Sequence, residues 1–173
     1  YSFPELSPAQ AKKVAGAARV SNPGCYPQGF ISVVKPLIDA GVLSADALLT
    51  YNAVSGYSGG GKKMIEDYEK AGAKASPYMP YGLTLNHKHL AEMKHYAGLS
   101  HDVIFQPVVG NYAQGMLGTV PLFLSMLKKK ISVAAIHEVL AKAYAASTFI
   151  EVAPLEAFER SPAIDPQALN NTN

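Results

Sequence analysis

The amino-acid sequence predicts an α+β domain: a mixed, largely antiparallel sheet with helices on one face. Strand-like runs at 48–54, 103–109 and 116–124 are interspersed with helical runs rather than alternating with them one to one. That order favours a mixed sheet over a purely parallel one. Apolar residues also recur at helical spacing, most clearly Phe30, Val33, Val34, Leu37 and Ile38, so the helices each have one face to bury. Finally, a Rossmann unit is missing, because no Gly-x-Gly-x-x-Gly follows a strand with an acidic residue about 20 positions on.

Taken in order, Ser7 followed by Pro8, Ala9 and Gln10 predicts an N-cap with proline in the first turn, opening a helix to about residue 18. The turn Asn22-Pro23-Gly24 then delivers Cys25 about one turn ahead of the apolar stripe that begins at Phe30. Pro36 removes one hydrogen bond of that helix and weakens its last turns, and Gly41 ends it. The strand at 48–54 feeds a glycine loop at 55–61 and a helix at 62–71. A polar connection through Pro77 and Pro80 leads to Tyr81-Gly82-Leu83 and His87-Lys88-His89, then to a helix from about residue 90 to 96. Two strands at 103–109 and 116–124 flank Gly110-Asn111-Tyr112-Ala113-Gln114-Gly115. Ser132 caps a helix to about residue 146, with Val133, Ile136, Val139, Leu140 and Ala143 on its stripe, and 149–152 reads as a further strand.

A length of 173 residues suits one domain able to bury a core without a staple, and the single cysteine excludes an internal disulfide. With 49% hydrophobic and 16% charged residues the composition is globular, and no run approaches the ~18 apolar residues of a membrane span. No signal peptide is visible. A net charge of +2 gives no electrostatic case for nucleic acid. The one basic run, Lys128-Lys129-Lys130, reads as a solvated loop. Tyr1 at one end and Asn170-Asn171-Thr172-Asn173 at the other read as cut ends of a longer protein. Helices can cover only one side of such a sheet, which predicts self-association.

Cys25 is the first candidate for chemistry. A helix N-terminus favours negative charge, proline fixes the turn, and Gly24 lets a substrate approach the backbone. A lone cysteine is also at home as a small buried hydrophobe; the Pro-Gly-Cys turn is what sets this one apart. His87-Lys88-His89 is the second candidate, with Glu92 three residues beyond His89 and able to orient an imidazole. A thiolate needs a proton carrier that works near neutral pH, which histidine supplies. His-x-His is equally a surface pattern, and the spacing of the other histidines and the one cysteine gives no metal set. His95, His101 and His137 read as ordinary surface or partly packed residues. In the glycine loop Ser55, Ser58, Gly59, Gly60 and Lys62 form a candidate anion cradle, although glycines can serve there only to reverse the chain, and Walker-type spacing is absent.

Four blocks carry a resemblance: Ser-Asn-Pro-Gly-Cys-Tyr at 21–26, Asn-Ala-Val-Ser-Gly-Tyr-Ser-Gly-Gly-Gly-Lys at 52–62, Tyr-Gly-Leu at 81–83 with His-Lys-His-Leu-Ala-Glu-Met at 87–93, and Gly-Asn-Tyr-Ala-Gln-Gly-Met at 110–116. In this order the chain resembles, over nearly all its length, the catalytic domain of the shorter bacterial N-acetyl-γ-glutamyl-phosphate reductases. The resemblance implies the C-terminal catalytic-domain architecture of the glyceraldehyde-3-phosphate and semialdehyde dehydrogenases. Residues 1–173 would then be a single catalytic and dimerisation domain, with the NADP-binding Rossmann domain and the final C-terminal helix absent from the chain. It further implies Cys25 as nucleophile and His89, in preference to His87, as acid/base. Asn22, Tyr81, His87 and Glu92 would place substrate or histidine, and the 55–62 loop would receive phosphate. The implied reaction is NADPH-dependent reductive dephosphorylation of an acyl phosphate through a Cys25 thioester, in cytoplasmic arginine biosynthesis by a homo-oligomer. Gln28 stands where the family often has threonine, and Lys62 where related loops carry arginine, a point charge in place of a bidentate guanidinium. Two alternatives stand beside this reading: the same chemistry on aspartyl or aminoadipyl phosphate, and an isolated substrate and oligomerisation domain that is catalytically silent.

Overall fold

The computed structural model describes residues 1–128, 130–158 and 163–166. Lys129 of the basic run and the 170–173 end lie outside these described residues.

Helix α1 (Pro8–Ala15) starts as its sequence dictates: the Ser7 hydroxyl accepts the Gln10 N–H at 3.1 Å, and Pro8 takes the first position, where no N–H is needed. It stops at Gly16, short of the expected end. Helix α2 (Cys25–Asp39) begins earlier than its apolar stripe suggests, because Cys25 itself is the first helical residue. Pro27 costs nothing in that first turn. Gly29 lies in the helix because a Cβ there would come within 3.0 Å of the Tyr51 hydroxyl. Pro36 is accommodated without ending the helix. The Ser32 carbonyl, which an N–H at position 36 would have served, accepts instead the Tyr144 hydroxyl at 2.7 Å from helix α5 (Val133–Tyr144). The loss that proline imposes on α2 thus becomes a tie to α5, whose own start is capped by Ser132 accepting from the Ala135 N–H.

Strands β1 (Thr50–Gly56), β2 (Tyr78–Pro80), β3 (Ile104–Gly110) and β4 (Met116–Thr119) form one sheet in the order β2-β3-β1-β4. The central pair β1–β3 is parallel, with Tyr51 opposite Phe105, and both outer pairs are antiparallel. Alternation sends Tyr51, Ala53 and Phe105 into the core, where they meet Phe30, Ile31, Val34 and Leu37 of α2 and Met93 of α4 (Leu90–Ala97). The core is on that face alone. On the other face Ile104 and Tyr78 are exposed, and a cleft of about 510 Å³ runs between Asn52, Gln106 and Thr119 and the turn at Gly82 and Leu83.

Three expectations need correction. The 77–80 connection contains a short strand, β2, which its prolines permit because it lies at the sheet edge. Strand β4 stops at Thr119, just before Pro121, and 124–126 is a 3-10 turn rather than strand. No strand forms at 149–152: the Ser147 hydroxyl captures the N–H groups of Phe149 and Ile150, leaving Phe149 89% exposed. Helix α3 (Lys62–Ala71) has its expected bounds.

Candidate active site

Cys25 stands exposed at the first position of α2, preceded by Gly24 in extended backbone (φ −63°, ψ 145°). Gly24 is adopted there for space and not for conformational freedom. A Cβ on it would lie 2.6 Å from Nε2 of His89 and 3.0 Å from Oε2 of Glu92. Both side chains come from the start of α4, His89 as its N-cap residue and Glu92 in its first turn. Thus the fold brings the turn at 22–25 and the His-x-His block, more than sixty residues apart, to one point. Glu92 fixes that meeting by accepting the Gly24 N–H on Oε1 at 2.8 Å.

His87 packs against His89 with ring centroids 4.7 Å apart, and its Nδ1 accepts the His89 backbone N–H at 3.2 Å. That bond leaves a neutral His87 with its proton on Nε2. Nδ1 of His89 is buried and has no hydrogen-bond partner, so the ring's Nε2 edge, beside Gly24, is the one turned to the thiol's turn. Burial first, then the neighbouring His87, holds His89 below the ordinary imidazole value, with Glu92 opposing and Lys88 adding to the shift. His87 is lowered mainly by burial and next by Lys88. A neutral imidazole beside a thiol can take its proton.

Tyr26, 2% exposed, is the residue sequence reasoning passed over. Its ring lies 6.2 Å from His89, 6.4 Å from His87 and 5.0 Å from Phe105. Its hydroxyl reaches Ser55 Oγ at 2.9 Å and the Val108 carbonyl at 3.3 Å. An aromatic residue one position past the cysteine carries no signal that distinguishes it from core. Tyr81 lies against His87 at 5.9 Å, and its hydroxyl is pushed up by burial first, then by Tyr26 and Cys25. Asn22 Oδ1 accepts the Ser2 hydroxyl at 3.1 Å, which leaves its amide N–H groups available to donate.

The glycine loop behaves differently from a free cradle. The N–H groups of Gly56, Tyr57 and Ser58 donate to the carbonyls of Gly115, Tyr112 and Ala113, and that of Gly61 to Ser58. A Cβ on Gly56 would stand 2.7 Å from the 112–114 backbone. Two of the glycine-rich blocks are therefore zipped to each other. Gly59 stays near Ser55, a Cβ there lying 3.5 Å from Ser55 Oγ, while a Cβ on Gly60 would strike Met64. The Lys62 side chain is 90% exposed on α3, 3.8 Å from Glu66. The structure thus joins Ser55 to the Cys25 helix through Tyr26, and sends Lys62 along its own helix. Among the described residues no group of three or more His, Cys, Asp and Glu is arranged to hold a metal, and no helix is long and apolar enough to cross a membrane.

The model of the semialdehyde dehydrogenase dimerisation domain matches residues 25–173. A protein of Chelativorans sp. (strain BNC1) named N-acetyl-gamma-glutamyl-phosphate reductase is 51% identical over 175 residues, covering 100% of this chain and 56% of that protein. Its namesake in Mesorhizobium japonicum is also 51% identical, with 100% and 57% covered. The protein named N-acetyl-gamma-glutamyl-phosphate reductase 2 in Nostoc sp. (strain PCC 7120) is 42% identical, with 100% and 56% covered. The chain therefore spans a little over half the length of these curated relatives. By the match over most of its length, and by a mixed sheet that carries its helices on one face, this chain belongs to the semialdehyde dehydrogenase dimerisation-domain family.

Proposed function

We propose that this chain is the catalytic and subunit-contact part of an N-acetyl-γ-glutamyl-phosphate reductase, which converts N-acetylglutamyl 5-phosphate to the 5-semialdehyde at the expense of NADPH, in cytoplasmic arginine biosynthesis. The observation that carries the reading is the seat of Cys25 at the start of α2, with Nε2 of His89 packed over Gly24 beside it. His89 takes the thiol proton, and the thiolate attacks the acyl carbon. The carbonyl oxygen gains charge as the bond forms, and the Asn22 amide and the Cys25 N–H are its donors. The C–O bond to phosphate then breaks, leaving a thioester on Cys25 and inorganic phosphate. Tyr81 and His87 border the acyl group, Glu92 holds the turn, and Ser55 with Ser58, Gly59 and Gly60 lies on the side assigned to phosphate; Lys62 acts there only as a distant charge. His89, now an imidazolium, is the proton source for the later release of aldehyde.

NADP does not fit a site made by this chain's own residues. The only strand–glycine loop–helix passage among the described residues, 50–71, spends the N–H groups of 56–58 on the 112–115 backbone, and a dinucleotide's pyrophosphate needs such donors free. We assign the cofactor mainly to a domain outside this chain. We also assign the uncovered sheet face to a second copy, a homo-oligomer whose light-scattering mass exceeds one chain; a stable monomer would count against that.

The test is intact mass after mixing with N-acetylglutamyl phosphate, with aspartyl phosphate in parallel and Cys25→Ser as control. A selective acyl adduct on Cys25 is the expected result. An adduct that survives Cys25→Ser, or one formed equally from aspartyl phosphate, would overturn the nucleophile or the substrate respectively.

A further inference from the structure

Tyr1 takes no part in the chemistry above, yet its hydroxyl donates to Oε1 of Glu92 at 2.7 Å, the same oxygen that accepts the Gly24 N–H. One carboxylate oxygen, 91 positions along the chain from Tyr1 and 68 from Gly24, therefore links Tyr1 to the residue before the nucleophile. The Tyr1 side is itself well held. Its ring stacks on Tyr96 with centroids 3.8 Å apart and planes 5° from parallel, and the Gln10 amide donates to its carbonyl. The next residue runs beside the cysteine turn: the Ser2 N–H donates to the Ser21 carbonyl at 2.8 Å and its hydroxyl to Asn22.

We propose that Tyr1 is a positioning residue for the reaction at Cys25: its hydroxyl fixes the Glu92 carboxylate, and the fixed carboxylate holds the Gly24 N–H and with it the turn that presents the thiol to His89. This rests on Cys25 being the nucleophile. A carboxylate oxygen that accepts two donors has its orientation set and its charge partly spent on them. Without the Tyr1 O–H, Glu92 keeps its charge, is free to turn, and draws more strongly on an imidazolium at His89. The groups that face His89 are His87, Lys88, Glu92, Tyr26 and the Gly24 backbone, and of these Glu92 alone is a carboxylate favouring the protonated ring.

The experiment compares Tyr1→Phe, Glu92→Gln and Cys25→Ser in the full-length protein that carries this chain. It measures the rate of Cys25 acylation against N-acetylglutamyl phosphate concentration, and the pH profile of Cys25 alkylation by iodoacetamide. Tyr1→Phe keeps the ring stack on Tyr96, so the fold is retained. It is expected to lower the saturated acylation rate about three- to tenfold, a loss of the size of one ordinary net hydrogen bond, because the fixed carboxylate acts on the reaction only through the turn. The half-saturating concentration stays unchanged, and the acid limb of the alkylation profile moves to higher pH. Glu92→Gln keeps an acceptor oxygen but removes the charge, and moves that limb to lower pH. Wild-type rate and limb in Tyr1→Phe, or a shift of both variants in the same direction, would overturn the positioning role. Acylation persisting in Cys25→Ser would instead overturn the reading of the nucleophile on which it depends.

Discussion

Gly24→Ala isolates the geometry on which the proposed chemistry depends. The backbone at residue 24 (φ −63°, ψ 145°) is open to any residue, so alanine brings no backbone strain, and everything it does comes from one methyl group. That methyl would sit 2.6 Å from Nε2 and 2.7 Å from Cδ2 of His89, and 3.0 Å from Oε2 of Glu92. Ordinary carbon contacts begin near ~3.5 Å, so the imidazole must retreat by about 1 Å. The atoms displaced are the ends of side chains at the half-buried start of α4, which makes the folding cost that of mild overpacking, about 1–3 kcal/mol. A displacement of this size between reacting groups costs on the order of 100-fold in rate. Gly24→Ala is therefore expected to leave a folded protein with a modestly lower urea midpoint and a Cys25 acylation rate about 100-fold down, read by mass against time. Gly16→Ala is the control, because its methyl meets only the Lys12 carbonyl at 3.6 Å, an ordinary contact far from the site. A Gly24→Ala protein that acylates at close to the normal rate would refute the claim that His89 must lie over this turn.

Two further outcomes concern stability. Burial holds His87 and His89 below the ordinary imidazole value of 6.5, so the folded chain binds fewer protons than the unfolded chain just below that pH. The stability they contribute is full above 6.5 and is lost as pH falls through the lowered values. The urea midpoint is expected to decline from about pH 7 to about pH 5, and to decline less in the His87→Gln/His89→Gln double variant; an equal decline in both would remove the histidines as its cause. Tyr144→Phe takes from the Ser32 carbonyl the hydroxyl at 2.7 Å that stands in for an N–H at Pro36, at a cost of about 1–2 kcal/mol in urea unfolding. In a Pro36→Ala background, where alanine can close the helical bond itself, the same substitution is expected to cost clearly less, and equal costs in the two backgrounds would show that the proline is irrelevant.

Periodicity and caps located the helices because their determinants are local. Ser7 and Ser132 accept the N–H groups three residues on, and α3 runs over the bounds its charge and glycine pattern marks. What escaped is non-local. The start of α2 at Cys25 lies ahead of its apolar stripe, over Pro27 and Gly29, and only the Tyr51 hydroxyl explains the glycine inside the helix. Strand β2 is three residues long and owes its existence to the edge of β3, opposite Val108, Val109 and Gly110. At 149–152 the pattern was strand-like, and a single serine hydroxyl outcompeted any sheet edge for the N–H groups. In the site, Cys25, His87, His89 and Glu92 were legible as residue types and by resemblance. Tyr26, Ser2 and Tyr1 were not, since each acts through a partner that spacing cannot identify.

The two glycine blocks show why motif and role come apart. Gly56, Gly110 and Gly118 each admit a neighbour that a Cβ would exclude: the 112–114 backbone, the Tyr112 ring and the Tyr51 ring. Their common effect is to let the 112–115 loop close on the end of β1 and the Tyr51 ring come close beneath Gly118 of β4. That packing stations Ser55 where the Tyr26 hydroxyl meets it at 2.9 Å, and Tyr26 in turn backs both histidines. These three glycines, unlike Gly59 and Gly60 of the candidate anion cradle, thus help fix the wall against which His87 and His89 stand. A substitution at Gly56 would accordingly reach Cys25 through Ser55 and Tyr26, although no atom of the 112–115 loop it displaces need touch the substrate.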